Sequence, residues 1–199
     1  MYGALIATLA SVNTVVYGHS GMTDQLSARD WVEQGLKALA RRGHSALKAE
    51  PLAKAMGVSR GSFYWHFADI GAFHAAILEA WREVAAETII ANVESASDRE
   101  NALFLLLRRV FSERLALERA VRSWAAFDPA ARSAVQAIDR RRLDYVGDLI
   151  RARGVAHEQA QVRAQILYWA FLGYALSDKP LGRAQADSVI EELVRIATL

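Results

Sequence analysis

At 199 residues, with 53% hydrophobic and 23% charged positions, the chain is long enough for one good core or for a small domain beside a larger one, and too apolar for a disordered protein. A net charge of +2 argues against a nonspecific polyanion binder, and the absence of cysteine removes any disulfide framework, thiolate metal site or thiol nucleophile. The charge is uneven: seven bases and three acids lie between Arg29 and His66, a net of +4 that leaves −2 for the rest, so the candidate nucleic-acid surface lies near the N-terminus.

The opening run, MYGALIATLASVNTVVYGHSGM, has no charged side chain. It lacks the positive region that precedes the apolar stretch of a secretory signal. Ser11, Asn13 and Thr14 interrupt what would need to be about 20 strongly apolar residues to cross a bilayer. The expectation is a disordered tail over residues 1–25, with Met22 as the true start, and a cytoplasmic protein with no membrane segment.

Almost everything after Gln25 reads as helix. The three prolines, at 51, 129 and 180, fall where a helix can begin or has ended. A first helix is expected from the cap Ser27 to Arg42, with Ala28, Val32, Leu36, Leu39 and Ala40 at helical spacing and Gly43 as its stop. A short second helix holds Pro51, Leu52, Ala53 and Met56 and ends at Gly57. A third begins after Ser59 and ends near Phe67. Asp69 caps a long fourth with Phe73, Ile77, Trp81, Val84 and Ala85 on one side. A fifth starts at Asp98, a sixth covers Glu118 to Phe127, a seventh runs from Asp128-Pro129 to Arg153, an eighth spans about His157 to Leu176, and a ninth Ala184 to Ala197. The expected fold is all-α with nine helices.

LAKAMGVSRGSFYWHF carries the sharpest signal. A helix-turn-helix needs a small residue where its two helices touch, here Ala53, and a residue tolerant of positive φ at the turn, here Gly57. Val58 and Phe63 can seat the second helix on the first, and Ser59 can cap it. With that helix in a major groove its first residues meet base edges. Arg60 can then bond a guanine in bidentate fashion, Gly61 permits close backbone approach, and Ser62 can bond a base or a phosphate. Tyr64 and His66 would offer polar tips to phosphates; Trp65 is placed either beside them or in the domain interior. Phe63 and Phe67 face inward.

Residues Leu26 to Ala80, and GVSRGSFYWHF above all, resemble the DNA-binding domain of the tetracycline-repressor (TetR) family of transcriptional regulators. The remaining helices are similar to that family's ligand-binding and dimerisation domain in number and length. The resemblance implies two domains, a three-helix helix-turn-helix domain over 26–72 and a helical domain over 73–199. It also implies a homodimer formed by the last two helices as a four-helix bundle, and a small-molecule cavity among the fourth to eighth helices. Three positions depart from the family pattern: Lys48 stands where a capping Thr is usual, Glu50 where a base is frequent, and Ile70 where a Lys is usual. The expected DNA-binding residues are Lys48, Ser59, Arg60, Gly61, Ser62, Tyr64, Trp65 and His66.

For the larger domain, Trp81, Phe104, Phe111, Trp124, Phe127, Tyr145, Tyr168 and Trp169 could together line a cavity for an apolar or amphipathic effector. Individually each reads first as core. The run Asp139 to Arg142 reads as a solvated helix face, and His44, His74 and His157 as solvated or cap-adjacent, with no metal site. No nucleophile constellation, phosphate-cradling loop or carboxylate pair points to catalysis or a cofactor. The resemblance implies a ligand-responsive regulator, most simply a repressor released from double-stranded operator DNA by a small molecule. The alternatives are a ligand-sensing or protein-binding module whose DNA-binding face has degenerated, and a small enzyme fused to a helix-turn-helix.

Overall fold

The computed structural model describes residues 26–95, 101–111, 115–178 and 181–199. The tail assigned to residues 1–25 and the Asp98 helix start lie outside them. Contacts divide the chain into two units between Val84 and Ala85.

In the first unit, α1 (Ala28–Arg42) is followed by a 3-10 turn at His44–Ala46, then α2 (Ala49–Met56), α3 (Arg60–Tyr64) and α4 (Ile70–Arg82). The start of α1 is a reciprocal cap. Ser27 Oγ accepts from the Asp30 amide at 3.3 Å, and the Asp30 carboxylate accepts from the Ser27 amide at 2.7 Å. The Ser27 hydroxyl also donates to that carboxylate at 2.7 Å, and this bond together with the one from the Ser27 amide holds the Asp30 carboxyl below its ordinary range. At the other end Gly43, at φ 75°, closes the helix by donating to Leu39 O.

The buried face of α1 is Trp31, Gly35, Ala38 and Leu39. This corrects the stripe expected from Ala28, Val32, Leu36, Leu39 and Ala40, of which only Leu39 is buried. Trp31 explains the difference: the largest apolar surface in the helix turns inward and rotates the stripe with it. Where α1 meets α4 there is no room for a side chain. A Cβ on Gly35 would lie 2.5 Å from Ile77 Cδ1 and 2.7 Å from Phe73 Cζ. Gly35→Ala should therefore destabilise this unit by about 1–3 kcal/mol through overpacking, read as a lower denaturant midpoint with an unchanged slope. The same contact draws α4, which buries Phe73, Ile77, Leu78 and Trp81, into the first unit. The division accordingly falls after Val84 rather than at residue 72.

The second unit contains α5 (Thr88–Glu94), α6 (Ala102–Phe111), α7 (Ala116–Ala125), α8 (Pro129–Arg151), α9 (His157–Leu176) and α10 (Arg183–Thr198). Between α4 and α5, Glu83–Glu87 winds as a π-helix. Counting α4, the π turn and α5 as one passage, the described residues hold nine helices. Asp128 caps α8 by accepting from the Ala131 amide at 2.9 Å, with Pro129 in the first turn. The longest packed pair is α8 on α9. Gly147 faces the Gln161 amide there, a flexible tip that a Cβ would meet at 2.7 Å and push aside. Arg119 closes the end of α9 by donating to Ala175 O and Ser177 O at 3.2 and 3.4 Å. Among the described residues no helix is long and apolar enough to cross a membrane.

Candidate nucleic-acid interface

Helices α2 and α3 form the expected pair. Gly57 takes the left-handed conformation at φ 71°, ψ 24°, and the Val58 amide donates to Ala53 O at 3.0 Å. Ala53 is buried at the contact. Phe63 anchors α3: it is wholly buried, edge-on to Trp31 and to Phe73 at 5.3 Å each, with Phe67 at 5.2 Å. That aromatic cluster fixes which way the rest of the short helix points. With Phe63 and Phe67 inward, Arg60, Gly61, Tyr64 and Trp65 are exposed and Ser62 and His66 half-buried.

Trp65 is 88% exposed, which decides against an interior position. Ser59 occupies the cap position with extended backbone, but its side chain makes no capping bond. The hydroxyl expected to satisfy the helix is thus left facing out, and α3 is held by Phe63 instead. The helix is also shorter than expected, ending at Tyr64 before a turn that reaches Phe67.

Arg60 is pre-positioned. Its Nη2 donates to Tyr64 Oη at 3.2 Å, and its Cζ lies 5.6 Å from the Tyr64 ring centroid. Tyr64, and less strongly Glu50, raise its already high pKa. The nearby Glu50 charge thus acts on Arg60, the base-reading candidate. A Cβ on Gly61 would meet only Ser59 Oγ, at 3.6 Å, so nothing within this chain requires glycine there. Lys48 is exposed at the start of α2 and makes no side-chain cap, and Ile70 is 40% exposed at the start of α4.

The histidines are not all solvated. His44 and His74 pack with ring centroids 4.9 Å apart, and His74 Nε2 lies 3.0 Å from Leu47 O, to which it donates as N–H. His157 is exposed at the first turn of α9.

Of the rings expected to line a cavity, Phe111, Trp124, Tyr145 and Tyr168 are buried in the second unit and Phe104 is half-buried. Trp81 is buried in the first unit. Phe127 and Trp169 stand at the surface, 64% and 63% exposed.

Asp139 to Arg142 is not a solvated face. Arg140 and Arg141 are exposed, but Asp139 and Arg142 turn inward to a buried ionic cluster. At its centre is Glu118, only 4% exposed. Glu118 accepts from Arg122 Nε at 2.8 Å and from both Arg142 Nη atoms at 2.9 Å. Arg122 is in turn bidentate on Asp139 at 3.2 and 2.6 Å. The Tyr168 hydroxyl donates to Asp139 and receives a bond from Arg122 Nη2 at 2.8 Å. Burial pushes the Glu118 carboxyl up, but Arg142 and then Arg122 outweigh it and hold the group below its usual range. Burial, opposed by Arg142, pushes the Tyr168 phenol up to about 12. A sequence signal for this cluster existed. Glu118 shares a helical face with Val121 and Ala125, so an acid sat in a core register with Arg122 four residues on.

Residues 32–77 match the family model for bacterial regulatory proteins of the tetR family. No curated protein matches the chain. Solved structures match over most of its length. Reduced NemR from E. coli is 18% identical with a TM-score of 0.65, covering 85% of this chain and 96% of that one. A member of the TetR family from Streptomyces coelicolor A3 is 23% identical with a TM-score of 0.58, covering 82% and 95%. A protein of Saccharomonospora viridis assigned as a transcriptional regulator, crystallised with choline, is 16% identical with a TM-score of 0.65, covering 84% and 95%. At these identities the likeness speaks for the fold.

Proposed function

We propose that the chain is a TetR-family transcriptional regulator, a reading supported by the family match over residues 32–77, and that it acts in the cytoplasm as a homodimeric repressor that leaves double-stranded operator DNA when a small molecule binds its second unit. The observation that carries the DNA-binding half is the two-sided aromatic run. Phe63 and Phe67 are locked inward against Trp31 and Phe73, which leaves Arg60, Gly61, Ser62, Tyr64, Trp65 and His66 to the groove and its phosphates. Lys48 and Ser59, both exposed, add phosphate contacts at the helix starts. The bare surroundings of Gly61 fit close approach of the DNA backbone.

The dimer is supported by α9, which has two apolar faces. One, Ala160, Ala164, Leu167, Tyr168, Phe171 and Ala175, is buried within the unit. Another stripe, Val162, Ile166, Trp169 and Leu176, is 42% to 63% exposed at helical spacing. A second copy covering that stripe together with α10 would bury it, which assigns Trp169 to the subunit contact. Trp169→Glu is accordingly expected to give a monomer by light scattering with unchanged helicity; a persistent dimer would oppose the assignment.

The effector reading rests on Phe104, Phe111, Trp124 and Tyr145, rings of the second unit that suit an apolar or amphipathic molecule. Phe127, at the end of α7, belongs to the same proposal. The effector acts only by binding one dimer state better than the other. The test is selection of duplexes from a random pool by the full-length protein. Enrichment of a pseudo-palindrome with half-sites about 10 base pairs apart, one turn of DNA, is the expected result. No enrichment at low salt would oppose DNA binding by this face.

A further inference from the structure

The π-helical turn Glu83–Glu87 has no counterpart in any sequence signal. A π turn holds one residue more than an α-helical turn, and such turns gather at functional places because they persist only where something holds them. Relaxation to α-helix would rotate the flanking segments against each other by about 100° and shift them by about 1.5 Å, one residue's worth of helix. The chain passes between its two units through this turn.

Two arginines of α8 grip it. Arg142 donates to Ala85 O from Nε at 3.3 Å and from Nη2 at 3.1 Å, while the same guanidinium is bidentate on Glu118. Arg141 Nε reaches Glu87 Oε1 at 3.3 Å. The Arg142 plane is fixed on its face by Phe171, with Cζ 5.1 Å from the ring centroid. Glu118 is fixed from behind by Arg122, and Arg122 by Asp139 and Tyr168. Packing and charge balance account for the Glu118 pair. They do not account for two N–H donors committed to a main-chain carbonyl inside the turn. A guanidinium presents its donors as a rigid fork, so one side chain can span a carboxylate and a carbonyl without slack.

We propose that Arg142 is the latch of a register switch: its fork on Glu118 and Ala85 holds Glu83–Glu87 in the π form, and opening the fork lets the turn relax toward α-helix and depletes the DNA-binding-competent state. The switch rests on the DNA-binding reading above; the latch does not. Spreading the protein over two registers weakens apparent affinity by the fraction that remains competent. The element is two-state, which is what coupling between distant sites requires.

Arg142→Lys keeps a cation on Glu118 and gives up the fork. Amide hydrogen exchange of the full-length variant without DNA is expected to rise at least roughly tenfold in peptides covering residues 83–94, with peptides covering 28–67 unchanged. Affinity for the duplex selected by the wild-type protein is expected to fall at least roughly fivefold at unchanged dimer mass. Unchanged exchange over 83–94 overturns the latch. Faster exchange with unchanged affinity overturns the switch. If the wild-type protein selects no duplex, the DNA-binding reading and the switch fall together, and the exchange result still decides the latch. A reading on the wild type needs no variant to fold: saturating selected duplex should slow exchange over 83–94 at least roughly threefold, and no change overturns the switch.

Discussion

Arg60→Ala should weaken binding to the selected duplex on the order of 10–100-fold, with discrimination lost chiefly at one base pair of each half-site. The side chain is fully exposed at the first turn of α3 and contributes nothing to the core, so thermal midpoint and dimer mass should not move. The effect is large because Arg60 is not a free tether. Tyr64 holds it by a hydroxyl bond at 3.2 Å and by its ring, which reduces the rotamer entropy lost when the fork meets a guanine edge. Tyr64→Phe provides a graded control, since it keeps the ring beneath the guanidinium and removes the bond. A loss smaller than that of Arg60→Ala, spread over all positions of the site, is expected from it. Fluorescence anisotropy against the selected duplex and its single-base variants separates the two patterns. Unchanged affinity for Arg60→Ala would mean that α3 is not the reading helix.

Glu118→Ala should cost the second unit about 3–5 kcal/mol, because it strands two inward-facing arginines without their shared carboxylate. Asp139 can compensate Arg122 in part, as it already binds it in bidentate fashion. Arg142 keeps only partners without a carboxylate: the Ala85 carbonyl, the Phe171 ring and the Tyr168 hydroxyl. A thermal midpoint lower by on the order of 10 °C or more is expected. The pH dependence follows from the sign of the shift. The folded Glu118 carboxyl sits below its ordinary value, so its stabilisation is complete at neutral pH and is lost as pH falls from the ordinary carboxylate range through the folded value. The gap between wild type and Glu118→Ala should therefore narrow on acidification and stay constant between pH 6 and 8. A gap independent of pH down to acid unfolding would show that Glu118 does not carry the cluster's charge.

The helix-turn-helix was legible because its determinants are local. A left-handed glycine, a small residue at the contact and an inward phenylalanine occupy eleven consecutive positions, 53–63, and each has only one physical use there. The same locality made Ser27, Asp69, Asp128 with Pro129 and Gly43 readable as helix ends. Where the reading was displaced, the deciding partner was far along the chain. The α1 stripe turned because Trp31 packs on Phe63, and Ser59 was not needed as a side-chain cap because that same ring anchors α3. The run Asp139 to Arg142 looked solvated because its partners, Glu118, Arg122 and Tyr168, lie 17 to 29 residues away from Asp139 or 20 to 26 from Arg142.

From its order of residues alone, this protein is all-helical, with a helix-turn-helix whose second helix offers Arg60 and rings with polar tips. Helix periodicity, caps and turn glycines act over a few residues and need nothing distant. Only the tertiary structure decided that Trp65 lies outside, that Trp169 sits on an exposed stripe, that α4 belongs with the first unit, and that Glu118 is enclosed by arginines. Those outcomes depend on which surfaces meet across long stretches of chain, and Gly35 reveals its role only when another helix is seen to press against it.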